Sequence, residues 1–279
     1  MSTYIIAEAA ACHDGDLAKA LRLIDLAANI GASACKFQWL SHAERLCERR
    51  NAPEYLDAYR LLQFPEAWFA DLASRAEDHG IELMTTCYLP EDVHVVARYV
   101  KRFKVSSFEA QDIAFVALHG CWPDKMLIIS AGMSADLTEP LRRYDAVEGR
   151  GTGAPPNWRV LACTSAYPCP EGQINLWRLR HDLPRVSGPQ GYPRGLSDHT
   201  RHPWTGALAV AAGAEVIEFH YRLDDTFLGN ADFAVARSPQ EALEYVAHIR
   251  EAEIMLGDGT AAVQPAEAPM LRYRMRGAP

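Results

Sequence analysis

Short apolar runs alternate with longer amphipathic stretches along the whole chain. Residues 4–8, 34–38, 82–86, 103–106, 126–130, 159–163, 194–197 and 216–220 read as eight short strands. Between them the apolar positions recur at helical spacing. Residues 16–30 place Leu17, Leu21, Ile24 and Ala28 on one face and stop at Gly31, where a C-terminal glycine cap belongs. Further helices are expected near 65–79, 90–99, 113–121, 137–147, 175–181, 204–212 and 239–256. A charged insertion at 41–60 and a Gly/Pro-rich loop at 149–156 interrupt the rhythm.

Strict strand–helix alternation argues for a parallel sheet covered by helices, and eight repeats argue for closure. The expected fold is α/β, a single-domain (β/α)8 TIM barrel over residues 1–260, with an irregular tail at 261–279. An open dinucleotide-binding sheet loses its support because no G-x-G-x-x-G follows the first strand.

In such a barrel, functional groups sit at the C-terminal ends of the strands. Polar residues collect at those ends in this sequence. Glu8 ends the first strand, Lys36 and Gln38 the second, Thr85 and Thr86 the third. Lys104, Ser106, Ser107 and Glu109 follow the fourth, Ser130 ends the fifth, and Thr164, Ser165 and Tyr167 follow the sixth. Ser197, Asp198 and His199 follow the seventh, and Glu218 and His220 end the eighth. Any one of these positions could simply mark a strand turning into a loop. All eight ends together, with lysines and carboxylates in apolar strands, point to a ligand, because a buried charge is costly unless paired or bound.

The pattern suits a small, highly anionic molecule. Lys36 and Lys104 supply positive charge, and Thr86, Ser107, Ser130, Ser165 and Ser197 supply hydrogen-bond donors for phosphate or carboxylate oxygens. Salt bridges from the lysines to Glu8, Glu109 or Glu218 are the alternative use of the same charges. His199 and His220 lie on neighbouring strands and suit a borderline divalent ion. His13, His42 and His202 compete for that role, so spacing does not settle the metal.

Composition narrows the class further. The net charge is −8, so a nucleic-acid partner is not expected. The basic clusters at 45–50 and 272–276 read as solvated surface or a subunit contact. No uninterrupted apolar run reaches the length of a membrane span, and the N-terminus shows no export signal. Seven scattered cysteines with no C-x-x-C pair read as reduced, mostly core thiols of a cytoplasmic protein.

Taken together, the segments IAEAAACHDGDLAKALRLID, GASACKFQ, FKVSSFE, ISAGMS, CTSAYPCP, INL, LSDHT and GAEVIEFH resemble the sialic acid synthase family, in that family's order. The resemblance implies a metal-dependent condensation of phosphoenolpyruvate with an N-acetylmannosamine-like sugar aldehyde. By motif, His199 and His220 would hold the metal, usually Mn, with Mg, Co or Zn as alternatives. Lys36, Thr86, Lys104, Ser107, Ser130, Ser165 and Ser197 would hold phosphoenolpyruvate. Glu8, Glu109, Tyr167, Glu218 and Asp232 would line the reacting centre and the sugar end. A homodimer is the family expectation.

The sequence departs from the family where the aldehyde is expected. The turn after the first strand reads Ala10-Ala11-Cys12-His13 in place of G-x-N-H, and the third strand ends Thr85-Thr86-Cys87-Tyr88 in place of S-T-P-F. Gly229 to Phe233 replaces G-P-D-H, keeping the aspartate. The family's antifreeze-like domain is not expected beyond the barrel. The insertion at 41–60 and Trp39 are candidates for reshaping the aldehyde end, with an ordinary surface helix as the equal alternative for the insertion. Another phosphoenolpyruvate aldol synthase, a barrel lyase or a non-catalytic paralogue are the competing readings.

Overall fold

The computed structural model describes residues 2–134, 158–181 and 194–275. Eight parallel strands form one closed barrel in sequence order. They are β1 (Tyr4–Ala10), β2 (Ala34–Trp39), β3 (Glu82–Cys87), β4 (Arg102–Val105), β5 (Met126–Ala131), β6 (Trp158–Cys163), β7 (Arg194–Asp198) and β8 (Val216–His220). The expected TIM barrel is therefore the fold. The helix expected at 137–147 and the loop at 149–156 lie outside the described residues.

Helices cover the barrel: α1 (Leu17–Asn29), α2 (Ala43–Arg50), α3 (Leu56–Arg60), α4 (Trp68–Asp78), α5 (Val93–Val96), α6 (Ile113–Leu118), α7 (Arg178–His181), α8 (Thr205–Ala211) and α9 (Pro239–Leu256). Local chemistry sets their ends. The Asp16 side chain accepts from the Ala18 N–H to start α1, and Ser238 with Glu241 forms a capping box on α9. The insertion is helical, as one of its two readings had it. It folds as α2 and α3, whose Ala43, Leu46 and Leu56 pack against Leu62, Tyr88 and Leu89 in a small satellite core. The alternation is thus broken by an added helical pair between β2 and α4. Beyond α9, Pro265–Tyr273 forms exposed 3-10 turns. No helix among the described residues is long and apolar enough to cross a membrane.

The strand alternation sorts the barrel interior into layers. Ile6, Ala34, Met84, Ile128, Leu161 and Val216 form an apolar layer. Two residues further along most of these strands stand Glu8, Lys36, Thr86, Ser130, Cys163 and Glu218, so the polar layer lies directly above a packed floor. The register ties it together: Glu8 pairs with Lys36 on one side and His220 on the other, Thr86 with Lys104, and Ser197 with Glu218. Gly195 marks the tightest point of the floor. A Cβ there would stand 2.4 Å from Leu161 Cδ2 and from the Val216 carbonyl oxygen.

Candidate active site

Two lysine–hydroxyl pairs stand in the polar layer. Lys36 Nζ donates to Thr86 Oγ1 at 3.0 Å, and Lys104 Nζ donates to Ser130 Oγ at 2.8 Å and to the Val105 carbonyl at 3.1 Å. Each hydroxyl accepts from an ammonium and so keeps its own proton for an incoming acceptor. Both lysines are buried. Their charges are balanced by Glu8, in direct contact with Lys36, and by Glu218, 3.7 Å from Lys36 and 3.6 Å from Lys104. Complete burial lowers the Lys36 pKa to about 7, against the Glu218 charge, which works to keep it protonated. Glu218 is the reverse case: burial favours its neutral form, but Lys104 and Lys36 outweigh this and hold the carboxyl well below its ordinary range.

The two carboxylates differ in what remains free. Glu8 Oε1 accepts from the Ala10 N–H at 2.7 Å, and its Oε2 meets Lys36. Glu218 Oε1 accepts from Ser197 Oγ at 3.1 Å, while its buried Oε2 has no hydrogen-bond partner. The salt-bridge alternative holds for Glu8 and Glu218 and fails for Glu109. That carboxylate faces away from the lysines, toward Ser106 and Arg50.

On the next side of the mouth, Ser107 Oγ and Ser165 Oγ lie 2.8 Å apart. Gly132 makes this approach feasible, since a Cβ there would meet Ser165 Oγ at 2.3 Å and Ser107 Cβ at 2.9 Å. His199 and His220 face each other with ring centroids 5.4 Å apart, and the Tyr167 ring lies 4.1 Å from the His199 ring. His199 Nδ1 sits 2.8 Å from the Thr164 carbonyl, so Nδ1 carries the proton and Nε2 the lone pair. Asp232 Oδ1 lies 3.4 Å from His220 Nδ1. Burial works to raise the Asp232 pKa, and the neighbouring His220 more than offsets it.

The end of β7 is braced from outside the barrel. Asp198, fully buried, accepts from Thr200 N–H at 2.8 Å, Tyr245 Oη–H at 2.7 Å and Arg237 Nη2 at 3.1 Å. The Arg237 guanidinium stacks 4.0 Å over the Tyr245 ring. This clamp turns Asp198 outward and leaves Ser197 and His199 facing in.

Several sequence expectations need correction. His13 is no rival ligand. Its Nδ1 accepts from the Gly15 N–H, its ring is packed among Phe37, Phe64 and Trp68, and burial lowers its pKa to about 4. Neither His42 nor His202 lines the pocket. Trp39 faces outward, donating to the Phe64 carbonyl at 2.9 Å and packing on Phe69, so it does not shape the aldehyde end. The basic cluster at 45–50 is not all solvated: Arg50 reaches Glu109 through a cage of aromatic rings. The sequence marked Gln38 at its strand end without a role and gave Cys163 and Tyr88 no place in the site; all three line the pocket. Cys163 was findable, since it follows Leu161 by two on an inward-facing strand.

Among the described residues no group of three or more His, Cys, Asp or Glu is arranged to hold a metal ion. What the site offers is a paired imidazole face beside a layer of buried lysines and hydroxyls.

Comparisons with known proteins give the family. The family model described as the NeuB family matches residues 23–261. An N,N'-diacetyllegionaminic acid synthase from Legionella pneumophila is 34% identical over 97% of this chain and 78% of its own. The human N-acetylneuraminate-9-phosphate synthase is 30% identical over 95% of this chain and 74% of its own. Among solved structures, an N-acetylneuraminic acid synthetase from Leptospira borgpetersenii, in complex with citrate, superposes with a TM-score of 0.83 at 28% identity. That match covers 98% of this chain and 92% of the other. The barrel, the order of its motifs and these relatives agree that the chain belongs to the NeuB family.

Proposed function

We propose that this sialic acid synthase-like enzyme condenses phosphoenolpyruvate with the open-chain aldehyde of an N-acetylmannosamine-like sugar. The products are a 2-keto acid and inorganic phosphate. The observation that carries this reading is the pair of buried lysine–hydroxyl couples, Lys36–Thr86 and Lys104–Ser130, set around one carboxylate in a single interior layer. Two ammonium groups beside hydroxyl donors match a small ligand carrying both a phosphate and a carboxylate.

Lys36 and Lys104 neutralise that ligand and hold it, with Ser107, Ser165 and Ser197 adding donors around the mouth. Fixing it there turns a two-substrate reaction into a step within one complex. C3 of phosphoenolpyruvate bonds to the aldehyde carbon, water adds at C2, and the C2–O bond to phosphate breaks, leaving the ketone. Glu218, with Oε2 free and its charge kept by the lysines, takes the proton from the adding water; Glu8 is already engaged through both oxygens. Glu109, Tyr167 and Asp232 stand on the aldehyde side.

The donor types suit a divalent ion held by two imidazoles, short of a three-ligand cluster among the described residues. Two imidazoles face each other, the His199 tautomer leaves Nε2 unprotonated, and Asp232 stands beside His220. His199 and His220 would hold it, Mn by family usage with Mg, Co or Zn as alternatives, and once bound it would supply Lewis-acid polarisation of the aldehyde.

The deciding experiment is phosphate release from phosphoenolpyruvate with Mn supplied, against N-acetylmannosamine, its 6-phosphate and other aldehydes. Release is expected to depend on the aldehyde and to vanish in the His199→Ala/His220→Ala variant. A chain that neither turns over phosphoenolpyruvate nor binds it by calorimetry would refute the reading.

A further inference from the structure

The helical insertion between β2 and α4 sends one side chain back against the wall of the pocket, behind Tyr88. Arg50, the last residue of α2, is mostly shielded, with 19% of its side chain exposed. Its guanidinium lies 5.4 Å from the Tyr59 ring centroid, 5.1 Å from Tyr88 and 4.9 Å from Phe108. Three rings around one planar cation form a cage that fixes its plane. Within it, Nε donates to Glu109 Oε1 at 3.0 Å, Nη2 makes a second bond to the same oxygen, and Nη1 donates to Tyr59 Oη at 3.3 Å.

Glu109 is thereby held from both sides, since Ser106 Oγ donates to its Oε2. The carboxylate is buried, on the loop that follows β4. The cage is also continuous with the pocket: Tyr88 and Ser106 both line it beside Lys36 and Lys104. The Arg50–Glu109 pair stands directly behind these two lining residues, and replacing a buried ion pair by well-packed apolar groups is often neutral or stabilising, so stability alone does not account for it. Three of the five guanidinium N–H groups are used by Glu109 and Tyr59, and two are not engaged by these partners.

We propose that Arg50 is a specificity-determining residue of the aldehyde side. It orients Glu109 and, with it, presents a net-neutral donor–acceptor pair to a hydroxyl or amide oxygen of the sugar aldehyde. This inference rests on the proposed condensation and adds to it the group that selects the electrophile. It also assigns a task to the insertion: α2 and α3 exist at this place to carry Arg50 and Tyr59 against the pocket wall.

The test compares wild type with R50K and R50M, using phosphoenolpyruvate, Mn and whichever panel aldehyde the wild type uses best. Lysine keeps the charge but can neither grip Oε1 through two nitrogens nor stack as a plane. The KM for the aldehyde is expected to rise by about tenfold or more in both variants, the loss of one charged hydrogen-bond pair. The KM for phosphoenolpyruvate should stay within about twofold of wild type, and R50K, which keeps a cation beside the buried Glu109, should remain folded at the assay temperature by thermal melt. An R50K variant with an unchanged aldehyde KM, or one in which both KM values rise together, overturns the role of Arg50 while leaving the condensation standing. No aldehyde-dependent phosphate release by the wild type sinks the condensation, and this inference with it.

Discussion

Gly132 gives the sharpest handle on the site, because nothing larger fits there. An alanine methyl would stand 2.3 Å from Ser165 Oγ, 2.9 Å from Ser107 Cβ and 3.3 Å from Cys163 Sγ. The first clash is relieved by turning the Ser165 hydroxyl, which breaks its 2.8 Å approach to Ser107 Oγ. The second is not relieved by rotation, because Cβ is fixed to the backbone, so the loop after β4 must move. Overpacking of this kind costs about 1–3 kcal/mol, which lowers Tm by about 2–10 °C in a chain of this size class. Two misplaced hydroxyl donors cost about 0.5–1.5 kcal/mol each, so G132A should bind phosphoenolpyruvate about 5- to 150-fold more weakly. Calorimetric titration with phosphoenolpyruvate and a thermal melt on the same sample read both effects. A G132A protein that binds phosphoenolpyruvate within about twofold of wild type, at an unchanged Tm, would show that the serine pair does not hold this ligand.

Other residues give independent tests. E218Q keeps the bond from Ser197 but removes the charge between the two lysines; kcat should fall by about 10²–10⁴ with a smaller change in phosphoenolpyruvate KM, and a loss under about tenfold would exclude Glu218 as the base. R237M leaves Asp198 buried without its cation and should cost about 3–5 kcal/mol by urea unfolding; a stability loss near zero would mean the clamp outside β7 is idle. His13 and His119 are both buried and held neutral, each with its pKa lowered by desolvation to about 4. The unfolded chain therefore takes up protons first as pH drops below about 6.5, and stability is lost between about pH 6.5 and 4, by roughly 3 kcal/mol for each histidine. Replacing His13 with Phe should flatten that pH profile by about half in denaturant titrations; an unaltered profile would place the acid sensitivity elsewhere.

The barrel was legible because its signals are local and repeated. Each strand is a short apolar run, and each inward position is two residues from the last, so Glu8, Lys36, Thr86, Ser130 and Glu218 could be assigned to one face from spacing alone. The partners of those residues were less legible. Whether Lys36 meets Glu8, Glu109 or Glu218 depends on the register between strands, which a single sequence does not specify. Arg50 was the hardest case. It sits in a run of charged residues, Glu48, Arg49 and Arg50, and nothing in that run distinguishes the side chain that turns inward from the ones that do not. What decides is the tertiary placement of Tyr59, Tyr88 and Phe108, which come from three separate segments. His13 erred in the other direction: a histidine next to a strand end reads as a ligand until the rings around it are seen.

The two halves of the pocket are carried by different kinds of structure. The lysine layer hangs on the hydrogen-bond register of the barrel, where slipping any strand would displace a charge from its partner. The Arg50–Glu109 pair hangs on a helical hairpin and on the loop after β4, and the core that seats the hairpin mixes its Ala43, Leu46 and Leu62 with Ala11, Leu40, Tyr88 and Leu89 from the barrel side. The hairpin is therefore anchored at a few positions, which also include Ser41 and Arg49 through Asp92 and Asp112, and open to change at the rest. On the proposal that Arg50 selects the electrophile, those open positions within residues 41–63 would retune the choice without touching the strand register. Laboratory evolution aimed at new keto-acid products has its natural library here, away from the barrel staves.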